Sequence, residues 1–270
     1  MKAPPCSACN QRGDSNSAGL TRHRVCVLGG GSFGSAIARI VASSVAAKPA
    51  EFASEVCQWV RREALALEIN TAHTNAQYLP GATFGANLVA TTDAAAAVAD
   101  AALVILAVPH EFLEATLRPA VAAALRPDAI VLSLVKSLHV EPSASLSLAS
   151  SQIASLLGLA DDRLCVLMGP NIYKEMLDDD SFAEATIGYD DDGSGRGREG
   201  AALAARALAV PCFATRSVAG RAAVESCGAL KNIIALGVGM CDGAGHGANC
   251  QTALIRAGLG EMERFATRFL

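Results

Sequence analysis

The chain has 270 residues, of which 51% are hydrophobic and 18% charged, and its formal net charge is −4. This length supplies a packed core for one large domain or two smaller ones. Because charges of both signs are scattered along a slightly acidic chain, we expect neither nucleic acid nor an anionic membrane as the main partner. We also expect no apolar run long enough to cross a bilayer.

The first 24 residues predict a flexible tail, because they are rich in Ser, Pro, Asn and Gly and show no hydrophobic period. The tail contains Cys6 and Cys9, but no second pair of ligands follows nearby, so we expect no metal site. It has no clear Arg-rich amphipathic helix, so the cytosol is the expected location. An organelle transit peptide stays open as the alternative.

The nine cysteines are an odd number, and most lie within apolar segments: Cys26, Cys57, Cys165, Cys212 and Cys227. This distribution is typical of buried thiols in a reducing compartment. We therefore expect reduced thiols in these segments.

From Val25 onward, apolar runs alternate with alanine-rich helical stretches. The predicted strands are 25–29, 55–60, 102–109, 129–136, 164–171, 185–189 and 212–217. The predicted helices between them are 34–46, 94–100, 111–124, 145–157 and 199–208. The central runs are continuously apolar, which indicates strands buried on both faces of a parallel sheet. The pattern predicts an α/β fold with a doubly wound, Rossmann-type parallel sheet, and a dinucleotide-binding domain over 25–217.

The pattern changes after Ser217, where no further strand is predicted. One long helix is predicted over 218–240, a Gly-rich break at 243–247 and a second helix over 252–270. We therefore expect an all-α domain to begin at residue 218. Because two helices make a poor independent core, we expect 218–270 to be only the beginning of that domain.

A glycine cluster follows the first predicted strand, in the segment Gly29-Gly30-Gly31-Ser32-Phe33-Gly34. It contains the spacing GxGxxG between a strand and a helix. The first glycine makes the turn, the second lets the backbone approach a pyrophosphate, and the third lets the helix pack on the strand. The helix N-terminus then faces the phosphates. We interpret the motif as a dinucleotide site, and the alternative is a purely structural turn.

Arg61 and Arg62 follow the second predicted strand, where an NAD-selective site usually carries an acid for the ribose hydroxyls. A guanidinium group there can stack on adenine or bind a 2′-phosphate. The expected cofactor is therefore NAD, with NADP left open. The structural alternative is a solvated helix start.

Polar residues fall at the carboxyl ends of three buried strands: His110 after Pro109, Lys136, and Asn171. Since ligands of open α/β sheets bind at this edge, we expect these residues to converge. For His110 we favour a structural role as the cap of a helix that begins at Glu111. A strand-end lysine such as Lys136 can also simply extend into solvent.

Lys231 is the most informative residue of the last two predicted helices. Helical spacing places it on one apolar stripe with Val224, Cys227, Ile234 and Val238. Burial together with a second nearby lysine would lower its pKa toward neutrality, which suits a general acid/base. The alternative is a lysine that extends from the helix edge into solvent.

Seven segments resemble the NAD-dependent glycerol-3-phosphate dehydrogenases, in the same order and over about 25–270. They are GGGSFGSAIA (29–38), INTAHTNAQYLPG (69–81), VPHEF (108–112), SLVKS (133–137), LMGPNIYKEM (167–176), ESCGALKNIIALGVGMCDGAG (225–245) and TALIRAGLGEM (252–262). Related enzymes with the same two-domain plan, such as the 6-phosphogluconate and hydroxyacyl-CoA dehydrogenases, lack this set. The resemblance implies NAD-linked interconversion of dihydroxyacetone phosphate and glycerol 3-phosphate by a cytoplasmic homodimer.

The resemblance also implies roles for individual residues. Lys231 matches the family's acid/base lysine, which exchanges a proton with the C2 oxygen of the substrate. Lys136 matches a second active-site lysine, which contacts substrate and stabilises the developing oxyanion. Asn171 and Asn232 match positions that line the substrate region, and Phe112 matches an aromatic residue beside the cofactor.

The chain departs from the family at Arg61, where relatives often carry an aromatic residue against adenine, and at Tyr173, where a small residue usually lies close to the cofactor. Both positions still belong to the expected cofactor site. The family's phosphate-binding stretch, with an Asp, a Thr and an Arg-Asn pair, would fall beyond Leu270. We therefore expect an N-terminal portion of such an enzyme, with weak nucleotide binding and little turnover. The alternatives are a dinucleotide-binding module and a dehydrogenase of another small hydroxy acid.

Overall fold

The computed structural model describes residues 22–140, 146–177 and 181–269. The strands are β1 (His23–Leu28), β2 (Phe52–Trp59), β3 (Leu88–Thr91), β4 (Leu103–Leu106), β5 (Ile130–Ser133), β6 (Leu138–Val140), β7 (Leu146–Leu148), β8 (Leu164–Met168), β9 (Ala183–Tyr189) and β10 (Phe213–Ala219). The α-helices are α1 (Ser32–Ala46), α2 (Glu63–Ala72), α3 (Ala94–Val98), α4 (Leu113–Thr116), α5 (Pro119–Ala124), α6 (Ala149–Leu157), α7 (Arg196–Leu208), α8 (Arg221–Gly243) and α9 (Ala248–Phe269). Short 3-10 helices cover His110–Phe112, Asp161–Arg163 and Glu175–Leu177.

Eight strands form one sheet in the order β10-β9-β8-β5-β4-β1-β2-β3. All neighbouring pairs are parallel except β8 and β9, which run antiparallel with Val166 opposite Gly188. The predicted doubly wound α/β fold with a Rossmann-type sheet is confirmed, and the sheet is mostly parallel with this one antiparallel pair. A parallel pair needs a crossover connection, usually a helix. The described part of the link between β8 and β9 contains only a 3-10 turn, Glu175–Leu177.

Hydrophobic side chains pack on both faces of the sheet, which explains the continuous apolar runs. On β1, Val25 and Val27 face one cluster with α1 and α7, whereas Cys26 and Leu28 face the other with α3, α5 and α6. Successive side chains of a strand point to opposite faces, so each residue of such a strand meets a packed layer. The prediction of strands buried on both faces is confirmed.

Four elements were not predicted: β3, α2, β6 and β7. The strand β3 is a short edge strand, and α2 has the N-cap residue Arg62 without a side-chain cap hydrogen bond, so neither carries a strong local signal. The predicted helix over 145–157 begins only at Ala149, because Leu146–Leu148 pairs with β6. The predicted helix over 111–124 is divided, and Pro119 begins its second part.

Most of the predicted tail, including Cys6 and Cys9, lies outside the described residues. Its predicted end at residue 24 is wrong, because β1 begins at His23 and pairs there with Phe52. The backbone N–H of His23 also donates to the carbonyl of Glu51 at 2.9 Å. The sheet therefore begins before the expected boundary.

None of the seven cysteines in the described ranges forms a disulfide. Cys26, Cys57 and Cys165 are buried as expected, and burial raises the pKa of Cys165 to about 12. The expectation of burial is wrong for Cys212, which is half-buried, and for Cys227, which is exposed on α8. The stretch of α8 around Cys227 is therefore apolar in sequence, but Cys227 itself faces solvent.

The helices α8 and α9 form an antiparallel pair, and α8 packs on β8 and β9. By length and composition α8 could cross a membrane, with 23 residues and a mean hydropathy of 1.3, so the expectation that no segment reaches this limit is wrong. In the structure, however, Arg221 and Glu225 of α8 are buried against the sheet domain. Arg221 pairs there with Asp161 and Asp190, and Glu225 accepts a hydrogen bond from the backbone N–H of Ser150.

Candidate active site

A cleft with a volume of about 1340 Å³ lies at the carboxyl ends of the central strands. Its walls come from Gly29–Gly34 after β1, Arg61 and Arg62 after β2, 107–112 after β4, and 134–136 after β5. From β1 the chain proceeds to β2 and β3 on one side and returns to β4 and β5 on the other. The cleft therefore lies at the switch point where ligands of open α/β sheets bind.

The glycines of the motif differ in their surroundings as GxGxxG requires. Gly29 has φ +135°, and a Cβ there would lie 2.4 Å from the carbonyl oxygen of Ala107. A Cβ on Gly34 would lie 2.7 Å from the Gly29 oxygen, so α1 packs directly on the turn. At Gly31 a Cβ would meet no atom within 4 Å, which leaves open space beside the N-terminus of α1. The loop therefore fits a pyrophosphate.

Buried polar side chains that the sequence reasoning missed hold this loop in place. The Gln58 amide donates to the Gly29 carbonyl at 2.8 Å, and the Asn75 amide donates to the Gly30 carbonyl at 3.0 Å and to Ser35 Oγ at 2.8 Å. All three side chains are fully buried. Gln58 could have been noticed in the sequence, because it is a polar residue inside the apolar run at 55–60. Asn75 lies within segment 69–81, one of the seven that resemble the dehydrogenase family.

Arg61 and Arg62 both line the cleft and stand over aromatic rings. Cζ of Arg61 lies 5.7 Å from the ring centroid of Phe112, and Cζ of Arg62 lies 5.6 Å from that of Tyr78. Arg62 also donates a hydrogen bond to Gln77 Oε1. These contacts bring Arg61 and Phe112 together, as the predicted cofactor site requires.

The two predicted lysines lie beside each other at the end of the cleft that β5 forms. Nζ of Lys136 lies 5.1 Å from the ring centroid of Phe33, and Nζ of Lys231 donates to the carbonyl of Gly169. Burial, followed by the charge of Lys136 and a hydrogen bond with it, lowers the pKa of Lys231 to about 8. Burial also lowers the pKa of Lys136, and the hydrogen bond with Lys231 partly opposes this. Lys231 can therefore lose and regain a proton near neutral pH.

Charged contacts hold α8 so that Lys231 reaches Lys136. Arg221 donates to Asp161 at 2.7 Å and lies 2.8 Å from Asp190. Glu225 accepts a hydrogen bond from the backbone N–H of Ser150 at 2.9 Å, and its burial raises the pKa of its carboxyl group. The first turns of α8 are therefore tied to the sheet domain at two points.

The sequence interpretation needs correction at two residues of this region. His110 does not precede a helix that begins at Glu111: it is itself the first residue of the 3-10 turn, Pro109 is the N-cap residue, and His110 lines the cleft. Lys231 does not lie on the buried face of α8, because Cys227 of the same stripe is exposed and the buried positions include Glu225 and Gly228. Lys231 is half-buried at the border of that face, which is why the carbonyl of Gly169 can reach it.

The remaining predicted residues divide between the cleft and the surface. Asn171 and Tyr173 line the cleft, and the Asn171 amide donates to the carbonyl of Glu184 at 2.9 Å. Asn232 is exposed on α8 and is not among the residues that line the cleft. The structure thus joins the cofactor residues into one cleft and places Lys136 and Asn171 in its wall.

Comparison with known proteins gives concordant matches. The sequence model described as NAD-dependent glycerol-3-phosphate dehydrogenase N-terminus matches residues 24–194, and the model for the C-terminus matches residues 221–270. The cytoplasmic glycerol-3-phosphate dehydrogenase [NAD(+)] of Bos taurus is 40% identical over 93% of this chain and 69% of its own length. The solved glycerol-3-phosphate dehydrogenase of Saccharomyces cerevisiae superposes with a TM-score of 0.82, at 33% identity over 92% of this chain and 71% of that one. The Plasmodium falciparum enzyme gives 0.81, at 33% identity over 92% and 67%.

Proposed function

Because this chain belongs to the NAD-dependent glycerol-3-phosphate dehydrogenase family, and so to the oxidoreductases, we propose that it interconverts dihydroxyacetone phosphate and glycerol 3-phosphate at this cleft. One observation carries the proposal beyond family membership. The lysine with the lowered pKa, Lys231, contacts Lys136, which lines the cleft that begins at the glycine loop. Acid/base chemistry and nucleotide binding are therefore adjacent.

The nucleotide is held by the residues that follow β1, β2 and β4. Gly31 and Ser32 at the N-terminus of α1 would hold the pyrophosphate through their backbone N–H groups, and the open space at Gly31 would admit it. Phe112 and Arg61 form the wall on the adenosine side, and Tyr173 lies on the wall of the same cleft. When bound, the nicotinamide donates or accepts the hydride at C2 of the substrate.

The two lysines have different roles at the C2 oxygen of the substrate. In reduction, Lys231 as an ammonium gives its proton to the C2 oxygen, and Lys136 stabilises the negative charge that develops there. In oxidation, neutral Lys231 removes the hydroxyl proton. A pKa of about 8 makes both forms of Lys231 available near neutral pH. Asn171 and Asn232 are the further substrate-binding residues of this proposal.

We place this reaction in the cytoplasm, since the named mammalian relatives are cytoplasmic. Assembly as a homodimer is also part of the proposal. A second candidate function is nucleotide binding without turnover. Two observations favour it: Asn232 is exposed, and neither Asn232 nor Lys231 is among the residues that line the cleft.

Turnover of the wild type separates the two candidates, and substitution of Lys231 tests the role of that lysine. We expect the wild type to oxidise NADH in the presence of dihydroxyacetone phosphate, and Lys231→Arg to lose about 10²–10⁴-fold in turnover. Arginine keeps the positive charge but does not release its proton, so this variant tests acid/base chemistry rather than charge. The measurements are steady-state turnover and the dissociation constant of NADH, which we expect to change little.

Lys174→Met serves as the control, because Lys174 is exposed and should leave both quantities unchanged. Nucleotide binding without measurable turnover in the wild type would favour the second candidate. Wild-type turnover in Lys231→Arg would contradict the role of Lys231, and loss of nucleotide binding in the wild type would contradict both candidates.

A further inference from the structure

The end of β2 carries two guanidinium groups and no acid directed into the cleft. Val60 is fully buried and continues the strand, with its N–H donating to Thr91 O at 2.9 Å, so Arg61 is the first residue after β2 that reaches the cleft. Arg62 follows and also lines it, whereas Glu63 does not. In Rossmann folds an acid at this place binds the ribose hydroxyls of NAD, and an arginine accommodates the 2′-phosphate of NADP.

Neutral groups orient both arginines. Arg61 lies over Phe112, and Arg62 lies over Tyr78 with a hydrogen bond to Gln77. A guanidinium has five N–H donors, so these contacts leave donors free on each side chain. An aromatic ring and an amide fix the position of a guanidinium without cancelling its charge.

The acids near this wall have other partners. Asp93, in the same cleft, accepts a hydrogen bond from the backbone N–H of Ala96 at 3.0 Å and caps α3. Glu111 lies 3.6 Å from Nδ1 of His110. Within the described ranges, no ion pair joins a carboxylate to Arg61 or Arg62. Two positive charges therefore face this part of the cleft.

We propose that Arg61 and Arg62 form a subsite for the 2′-phosphate of the adenosine ribose, so that this chain binds NADP(H) more tightly than NAD(H). The inference rests on the proposed nucleotide site and specifies its ligand. A phosphate oxygen pair matches the fork of donors on a guanidinium, which makes charge-assisted, often bidentate hydrogen bonds. NAD has only a hydroxyl at that position and gains neither the charge attraction nor those bonds.

Binding measurements test the subsite without requiring turnover. We expect NADPH to bind about tenfold or more tightly than NADH, by fluorescence titration, and 2′,5′-ADP to bind more tightly than 5′-AMP, by calorimetry. Arg61→Ala and Arg62→Ala should each reduce the NADPH/NADH affinity ratio by about tenfold. Arg62→Glu should reverse the preference, because it restores an acid for the ribose hydroxyls.

Arg216→Ala is the matched control, because this substitution removes the same charge. Arg216 is an exposed arginine on β10, at the opposite edge of the sheet. It should leave the ratio unchanged. Equal or tighter binding of NADH by the wild type would overturn the 2′-phosphate subsite while leaving the proposed function intact. Failure of both nucleotides to bind would instead overturn the proposed function and the subsite with it.

Discussion

Lys231 owes its low pKa to burial and to the neighbouring Lys136, which acts through its charge and through a hydrogen bond. Burial is the larger, because the ammonium loses part of its hydration against the end of β8. The charge of Lys136 acts in the same direction, since two ammonium groups side by side disfavour the doubly charged state. Nζ of Lys231 also donates a hydrogen bond to the carbonyl of Gly169. The pKa of Lys231 therefore depends in part on Lys136, which can be replaced without changing Lys231.

Lys136→Met should raise the pKa of Lys231 above about 8, because it removes a positive neighbour. The neutral form of Lys231 then appears only at higher pH, so the rising limb of the pH profile for oxidation should move to higher pH. The measurement is kcat/KM for glycerol 3-phosphate oxidation across the alkaline range, normalised to its own maximum. Lys174→Met should leave the midpoint in place, and an unchanged midpoint in Lys136→Met would show that Lys136 does not act on Lys231.

Besides its charged contacts, the helix α8 approaches the sheet closely at Gly228, one turn before Lys231. A Cβ on Gly228 would lie 2.3 Å from Sδ and 3.0 Å from Cβ of Met168, so only glycine lets the helix lie on β8 at this depth. The sulfur could rotate away, but the Cβ of Met168 is fixed to the backbone. A larger residue would lift the helix turn that precedes Lys231. The position of the acid/base group therefore depends on a glycine one turn away.

Gly228→Ala should destabilise the protein by about 1–3 kcal/mol through overpacking, and should also lower turnover. Gly239→Ala is the matched control in the same helix, because its Cβ meets no atom within 4 Å. That change should stabilise the helix by up to about 1 kcal/mol, since alanine is the better helix former. Urea unfolding and turnover of both variants provide the measurement. Equal stability of the two variants would show that the contact with Met168 does not hold α8.

The elements differ in how far their sequence predicts them. Strands such as β4, with LVIL buried on both faces, carry a strong signal, because each residue is apolar. The edge strand β3 has only four residues, and β6 and β7 form a two-stranded ribbon of three residues each, so the local sequence signal of these strands is short. The antiparallel direction of β9 likewise depends on the connection from β8. The residues AEATIGY themselves favour neither a parallel nor an antiparallel pairing.

The candidate site follows the same division. Residues at the ends of strong strands, such as Lys136 and the glycine loop, could be placed from sequence because the sheet edge is common to all parallel strands. Gln58 and Asn75 could not be assigned, since their partners are backbone carbonyls brought close only by folding. Lys231 could be chosen for its chemistry, but its half-buried setting depends on which side of α8 meets β8, and the stripe of apolar residues indicated a different side.

On the scale of the whole molecule, the buried hydrophobic residues are concentrated around the sheet rather than in α8 and α9. The sheet carries a hydrophobic cluster on each face, while none of the residues described in α9 is buried. On α8, Ile233, Leu236 and Met240 are 68%, 61% and 65% exposed. A cluster of large apolar side chains at the surface is unusual for a monomeric protein in water. The stability of the fold should therefore reside in the sheet domain rather than in the outer side of these helices.

Leu236→Glu should test this division directly. Because Leu236 is 61% exposed, the substitution should change the free energy of unfolding by less than about 0.5 kcal/mol. It should also reduce the binding of an apolar fluorescent dye, since it interrupts the exposed cluster on α8. Leu208→Ala, at a fully buried position of α7, should by contrast cost about 2–5 kcal/mol. Urea unfolding and dye titration of both variants measure the two effects. A loss in Leu236→Glu as large as in Leu208→Ala would mean that this side of α8 is buried in solution, against another part of the protein or a second copy.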